Sequence, residues 1–294
     1  MKPKSDAARH KYAIMIDSHR QTWVTFCKAA FDKPYKEDMA EIRRIFRVTT
    51  TPEEASKRIK SFLKGPAYAG WKTALTTAWV ETGKATLEYI HAFHTGKSAY
   101  ESDTYTSWRD FDDEGLVLIK DVAALQSTWA QFVANKLKKG GQKITGITDT
   151  TRDQVMKVIA DGVENGDGHY VIGQAVDDAL GDSWLGRGMM ISRTEANSAM
   201  NAAISADAKA TVPDMWKTWS TTGMDNVREW HQDADGQSVA QSDTFTVMGE
   251  DLDYPGDDAG SPENIINCAC TILLDPAPAE SEVPGEESSE EVEE

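Results

Sequence analysis

Apolar residues recur at helical spacing through most of the first two thirds of the chain. Ile14, Ile16, Trp23, Phe26, Ala30 and Phe31 mark a helix over residues 6–47. Pro34 is expected to interrupt it before Tyr35–Phe46 resumes the pattern. "TTTPEEASKRIKSFLKG" reads as a helix start, with threonines, Pro52 in the first turn and two glutamates. Trp71, Leu75, Ala78, Trp79, Leu87 and Ile90 fall near one stripe of a longer run, in which Gly83 is a weak point. A polar, turn-rich stretch follows, and then "LVLIKDVAALQSTWAQFVANKLKKGG", a further helix ended by Gly140–Gly141.

The texture changes at Ile144. Three helices are expected in succession: one through Val155, Ile159 and Val163, a short one over "HYVIGQAVDDALG", and a third over "GRGMMISRTEANSAMNAAISADAKAT" before Pro213. Short runs rich in Thr, Trp, Phe and Ile come next: "MWKTWSTT", "DTFTVM" and "IINCACTILL". Gly/Asp turns separate them, as between strands. The fold class expected is α+β, with a largely helical N-terminal half and a C-terminal module of helices packed on a small antiparallel sheet. Boundaries are placed at 1–143, 144–274 and 275–294, the last an acidic tail expected to be disordered.

Charge refines this division. The net charge of the 294 residues is −17. Residues 1–100 hold 18 Lys+Arg against 10 Asp+Glu, giving +8, whereas residues 275–294 hold nine acidic and no basic groups. The whole protein is therefore a poor candidate for coating nucleic acid, while its basic front can approach DNA or an acidic partner. No run of about 18 apolar residues occurs, so no membrane span is expected. The three cysteines, Cys27, Cys268 and Cys270, make no disulfide framework and fit a reducing cytosol.

Candidate chemistry gathers late in the chain. On a helical wheel Arg193, Asn197 and Asn201 share a stripe with Thr194 beside it, and Ala199, Ala202 and Ala206 lie opposite. Glu195 lies among the small residues, where a carboxylate needs a partner. Arg228 and His231 are the candidates. Asp225, Arg228 and His231 are spaced by three, as along one helical turn. Asp235–Gly236 reads as a turn, Pro255–Gly256 as the centre of a type II turn, and Ser261–Pro262 as a cap and first helical residue.

The alternation in "NCACTILL" puts Cys268, Cys270, Ile272 and Leu274 on one apolar strand face. Three readings stand for the cysteines. They are small core residues; or zinc ligands with His231 and one of Asp233, Asp235, Asp257 or Asp258; or nucleophiles with His231 as base. C-x-C is a poor zinc spacing, and an acidic neighbourhood opposes a lowered thiol pKa.

The order of motifs, "TTRDQVMKVIADG", "ISRTEANSAMNAA", "WSTTGMDNVREWHQDADGQSV" and "LDYPGDDAGSPENIINCAC", resembles the phage head-morphogenesis family, the Mu F-like minor head proteins of tailed bacteriophages. The matching positions are Arg193, Thr194, Glu195, Asn197, Trp219, Asp225, Arg228, His231, Asp235, Gly236, Pro255, Gly256, Asp257, Asn267, Cys268 and Cys270. Ala269 stands where the family usually carries Arg. The resemblance covers about 144–274 and implies a virion protein of the capsid interior or portal vertex, made in the host bacterial cytoplasm. It would act in head morphogenesis or DNA delivery, with portal or major capsid protein as partners and packaged double-stranded DNA reached through the basic front.

No enzymatic activity follows from the family pattern. A structural polar network of Arg193, Glu195, Asn197, Asp225, Arg228, His231, Asp235, Asp257 and Asn267 is expected, with the two cysteines beneath it and no cofactor required. The rival is a Cys/His hydrolase or metal-dependent nuclease built on His231, Cys268, Cys270 and Glu195, with zinc at the first three.

Overall fold

A computed structural model describes residues 6–95, 129, 141–221 and 226–277. The expected helix over 116–141 falls largely outside these residues. So do the polar stretch before it, Asp225 and the tail beyond residue 277.

Among the described residues, long helices form the front of the molecule: α1 (Asp6–Val48), α2 (Pro52–Lys64), α3 (Pro66–Thr95), α4 (Gly141–Glu164) and α5 (His169–Thr211). The start of α2 follows its sequence. Thr51 Oγ1 accepts from the Glu54 amide at 3.2 Å, and Pro52 opens the first turn. Ala55, Ile59 and Leu63 then form its buried face. The α3 stripe is also as its pattern predicts, for Trp71, Leu75, Ala78, Trp79, Leu87 and Ile90 are all buried.

Two expected breaks are absent, and the weak point at Gly83 holds. α1 runs through Pro34. The proline removes one helical hydrogen bond, but Phe31, Tyr35, Asp38 and Ile42 around it are all buried, and tertiary packing carries the turn. α3 runs through Gly83, where the missing side chain makes room for Trp129: a Cβ there would lie 1.9 Å from the indole. The two helices expected after residue 168 are one, since α5 continues through Gly181, Gly186 and Gly188. Each glycine costs only about 1 kcal/mol against alanine.

The α5 helix is the axis of the molecule and packs on α1, α3 and α4. Three aromatic rings buried among the helices find polar partners for their N–H and O–H groups. Trp71 Nε1 donates to Asp38 Oδ2 at 2.8 Å, Trp79 Nε1 to Glu195 Oε2 at 2.7 Å, and Tyr35 Oη to the Leu180 carbonyl at 2.5 Å.

The C-terminal part contains β1 (Trp216–Ser220), α6 (Glu229–Asp233), β2 (Ser238–Ala240), β3 (Phe245–Val247), β4 (Glu250–Leu252), α7 (Pro262–Ile265) and β5 (Thr271–Asp275). An antiparallel sheet has the order β2-β1-β5, and β3 and β4 form a separate hairpin. Every residue of β5 is buried. Two apolar cores result. The larger joins α1–α5 to Tyr254 and Ile272–Leu274, crossing the expected boundary at residue 143. The smaller holds Trp219, Ala234, Phe245, Val247, Leu252, Cys268 and Cys270. The cysteines therefore do not share the strand face of Ile272 and Leu274, because β5 begins only at Thr271.

Candidate functional site

α5 is buried on opposite sides between Thr194 and Ser205. One side meets the helices through Glu195, Ala196, Ala199 and Ala203. The other carries Thr194, Asn197, Ser198, Asn201 and Ser205, whose polar groups grip the loops of the C-terminal part. Asn201 Nδ2 donates to the carbonyls of Cys270 at 2.9 Å and Pro255 at 3.1 Å. Its Oδ1 accepts from Thr271 Oγ1 at 3.1 Å and from the Ile272 amide at 3.2 Å. Asn197 Nδ2 adds a bond to the Cys270 carbonyl at 3.3 Å, and Thr194 Oγ1 accepts from the Asn267 amide at 2.8 Å.

The Tyr254–Asp257 loop closes against this face. The Asp257 amide donates to the Tyr254 carbonyl at 3.0 Å, and Gly256 has φ +85, so Pro255 and Gly256 form the expected type II turn. Ser198 Oγ donates to the Gly256 carbonyl at 2.8 Å. A Cβ on Gly256 would lie 2.7 Å from Ser198 Oγ and 3.2 Å from Ser198 Cα, so the approach needs glycine twice over. Asp257 holds the loop internally, accepting from the amides of Asp253 and Ala259.

Asp253 fastens a third point. It accepts from Ser205 and Lys209 of α5 and from Lys217 of β1, whose Nζ lies 2.5 Å from Oδ1. Lys217 is 0% exposed and also sits over the Phe245 ring. Burial tends to raise the Asp253 carboxyl, but the two lysines outweigh it and hold its pKa below the usual value. Burial lowers Lys217 despite the carboxylate.

A second grouping lies in the smaller core. His231 of α6, Cys268 and Cys270 are 1–3% exposed. His231 Nδ1 lies 3.4 Å from Cys270 Sγ and 3.8 Å from Cys268 Sγ. The other ring nitrogen, Nε2, lies 3.3 Å from Asn264 Oδ1, and Asn264 Nδ2 donates to Glu250 Oε2 at 2.6 Å and to the Val247 carbonyl. Trp219 packs edge-on against the imidazole at 5.4 Å. The thiols are unequal. A hydrogen bond from Cys270 favours Cys268 as the thiolate against its burial, with His231 adding to the effect. That same bond and burial push Cys270 up. A nucleophile must be open to its substrate, and both sulfurs are covered.

The remaining predicted residues fall in several places. Glu195 accepts from Trp79 on α3, whereas His231 lies with the cysteines and Arg228 donates to the Ile266 carbonyl. Arg228 has extended backbone ahead of α6, so it does not share a helical turn with His231, and Asp225 is outside the described residues. Asp235 Oδ1 accepts from the Thr221 amide, closing the turn beside β1. Arg193 is exposed on α5. Asn267 sits at φ +56, a left-handed conformation that Asn tolerates. Asp233, Asp235, Asp257 and Asp258 are not grouped with the Cys/His cluster as further ligands.

Sequence reasoning missed Ser198 and Asn264. A helical wheel places Ser198 beside Asn197 and Asn201, a signal that was available. Asn264 has none, because nothing in "SPENIINC" shows that it will meet His231.

Residues 153–273 match a protein-family model described as Phage Mu protein F like protein. No curated protein and no solved structure matches the chain.

Proposed function

Residues 153–273 belong to the Mu F-like family of phage head-morphogenesis proteins, and from that premise we propose that the chain is a minor head protein of a tailed phage. It sits at the portal vertex or on the capsid interior and acts in head morphogenesis and DNA delivery. The family match is the single observation that carries this reading. The geometry agrees with a structural role: the polar residues of α5 are spent on holding loops, and the Cys/His cluster is covered.

The partners follow from charge. A front with net +8 over residues 1–100 suits an acidic surface of portal or major capsid protein, or the phosphates of packaged DNA. The Arg44–Glu41 and Arg58–Glu54 pairs are already counted within that net figure, while Arg43 pairs outside it, with Asp177. The described helices include none long and apolar enough to cross a membrane.

Quantitative mass spectrometry of purified proheads and DNA-filled particles tests the proposal. A few copies per particle in both are expected, and absence from both ends it. Binding of the purified chain to duplex DNA that weakens steeply with salt would add DNA to its partners.

A further inference from the structure

We propose that His231, Cys268 and Cys270 form a zinc site. This goes beyond the role in the head and does not depend on it. The three side chains offer one imidazole nitrogen and two sulfurs, all within 4.8 Å of one another. Zinc–sulfur bonds of about 2.3 Å and a zinc–nitrogen bond of about 2.0–2.1 Å at tetrahedral angles put sulfur and nitrogen ~3.6 Å apart. The distances of 3.4 and 3.8 Å from His231 Nδ1 to the two sulfurs bracket that value.

The outer shell fixes the correct tautomer. Asn264 Nδ2 donates to two oxygens, so Oδ1 is left to face His231 Nε2. Nε2 must then carry the proton, and the lone pair of Nδ1 points at the sulfurs. A ligating histidine held by a hydrogen bond from its other nitrogen is the usual arrangement. Trp219 supplies a second device. Its indole N–H is buried without a hydrogen-bond partner and lies beside Cys270, where a thiolate would accept it.

The charges also balance. Two thiolates and a neutral imidazole neutralise a divalent cation, so a buried site carries no net charge. Binding releases the thiol protons to solvent. Among the described residues the cluster supplies three of the four ligands that zinc usually takes. The location suits a structural metal, because the smaller core has seven buried residues around strands of three to five residues. Small cores are those most often stapled by a metal.

The test uses the full chain, purified without chelating resin and analysed by elemental mass spectrometry. About one zinc per chain is expected. Exchange for cobalt(II) should give thiolate-to-metal charge transfer and the visible bands of a tetrahedral ion. Cys268→Ser, Cys270→Ser and His231→Ala should lose the metal, Cys27→Ser should keep it, and Asn264→Ala should weaken it about 10–100-fold. Should the ligand variants fail to fold, the wild type decides. Chelation should lower its Tm, and zinc alone should restore it. A folded chain that is purified without metal and takes up no zinc overturns the site. So does a Tm indifferent to chelator and zinc, or a Cys268–Cys270 disulfide in the purified chain.

Discussion

Asn201→Ala should be among the most damaging single changes in the molecule. The strand β5 lies at the edge of its sheet. Its neighbour Trp219 exchanges backbone hydrogen bonds with Gly236 and Gln237 on the β2 side. Trp219 and Ile272 are partners in register, so their pair is a non-hydrogen-bonded one, and the Ile272 N–H points away from β1. Asn201 receives it at 3.2 Å. One buried amide therefore replaces the missing neighbour strand at this point of the edge. It also serves the Pro255 carbonyl and the Thr271 hydroxyl.

Truncation to alanine strands the Ile272 N–H and the Pro255 carbonyl, each costing about 1–3 kcal/mol when buried and unpartnered. The Cys270 carbonyl keeps Asn197, and the Thr271 hydroxyl can rotate. A total of about 3–5 kcal/mol results, against a typical domain stability of roughly 5–15 kcal/mol. Asn197→Ala removes one bond at 3.3 Å to a carbonyl that retains Asn201, so it should cost about 1 kcal/mol. Denaturant unfolding of the three proteins measures the difference, and hydrogen exchange locates it. Exchange should quicken first at Ile272. A loss below about 1 kcal/mol for Asn201→Ala, or faster exchange spread evenly over the chain, would refute the reasoning.

Four further outcomes are expected. Gly256→Ala should cost at least about 2 kcal/mol, since it combines a left-handed alanine with a clash against Ser198, and a fall in Tm measures it. Met248→Asn should stabilise by about 0.5–1 kcal/mol, because Met248 and Gly249, at φ 53 and 76, form the two-residue turn of the β3–β4 hairpin, where Asn-Gly is preferred. Burial raises Asp207 to about 7, so the folded chain binds its proton more tightly than the unfolded one, and stability falls as pH rises from about 4 to about 7. Asp207→Asn should therefore gain on the wild type by on the order of 2–4 kcal/mol between pH 4 and pH 8, as read from denaturation at each pH. Residues 144–274 expressed without the front should expose Ala196, Ala199 and Ala203 of α5 and aggregate on gel filtration, and a monomer with a cooperative transition would count against a shared core.

The helices were legible because their apolar stripes are long and regular. Trp71 to Ile90 could be read as one buried face without knowing what covers it. Continuity was less legible. Pro34, Gly83 and the glycines of α5 are local signals for a break, and each is overruled by packing from elements distant in sequence. Gly83 shows why, since the space it leaves is filled by Trp129, 46 positions later. The strands β2 and β4 were missed because "SVA" and "EDL" each hold one large apolar residue, whereas the equally short β3 shows Phe245 and Val247 in alternation.

Candidate site residues followed the same rule. Asn197 and Asn201 share a helix face, and the wheel placed them together. Their targets, the Cys270 and Pro255 carbonyls, are backbone groups and leave no mark in the sequence. Glu195 was expected to pair with a cation, Arg228 or His231, and neither reaches it. It accepts instead from an indole N–H more than a hundred positions earlier, which no local spacing could find.

The two faces of α5 explain why the family motif and the helical front belong to one body. A helix buried on only one side shows a polar outer face. Around Arg193–Ser205 only Arg193 is exposed, so small side chains must serve both sides. Alanines admit α1 and α3 closely, and Asn and Ser answer the backbone of the loops opposite. Each residue type is set by what approaches it, and the approaching segments come from both ends of the chain. A change on either face is therefore felt on the other: displacing α5 by packing against α1 also moves Asn201 from the edge of β5. The basic front and the Cys/His cluster are in this way held in fixed relation through a single helix.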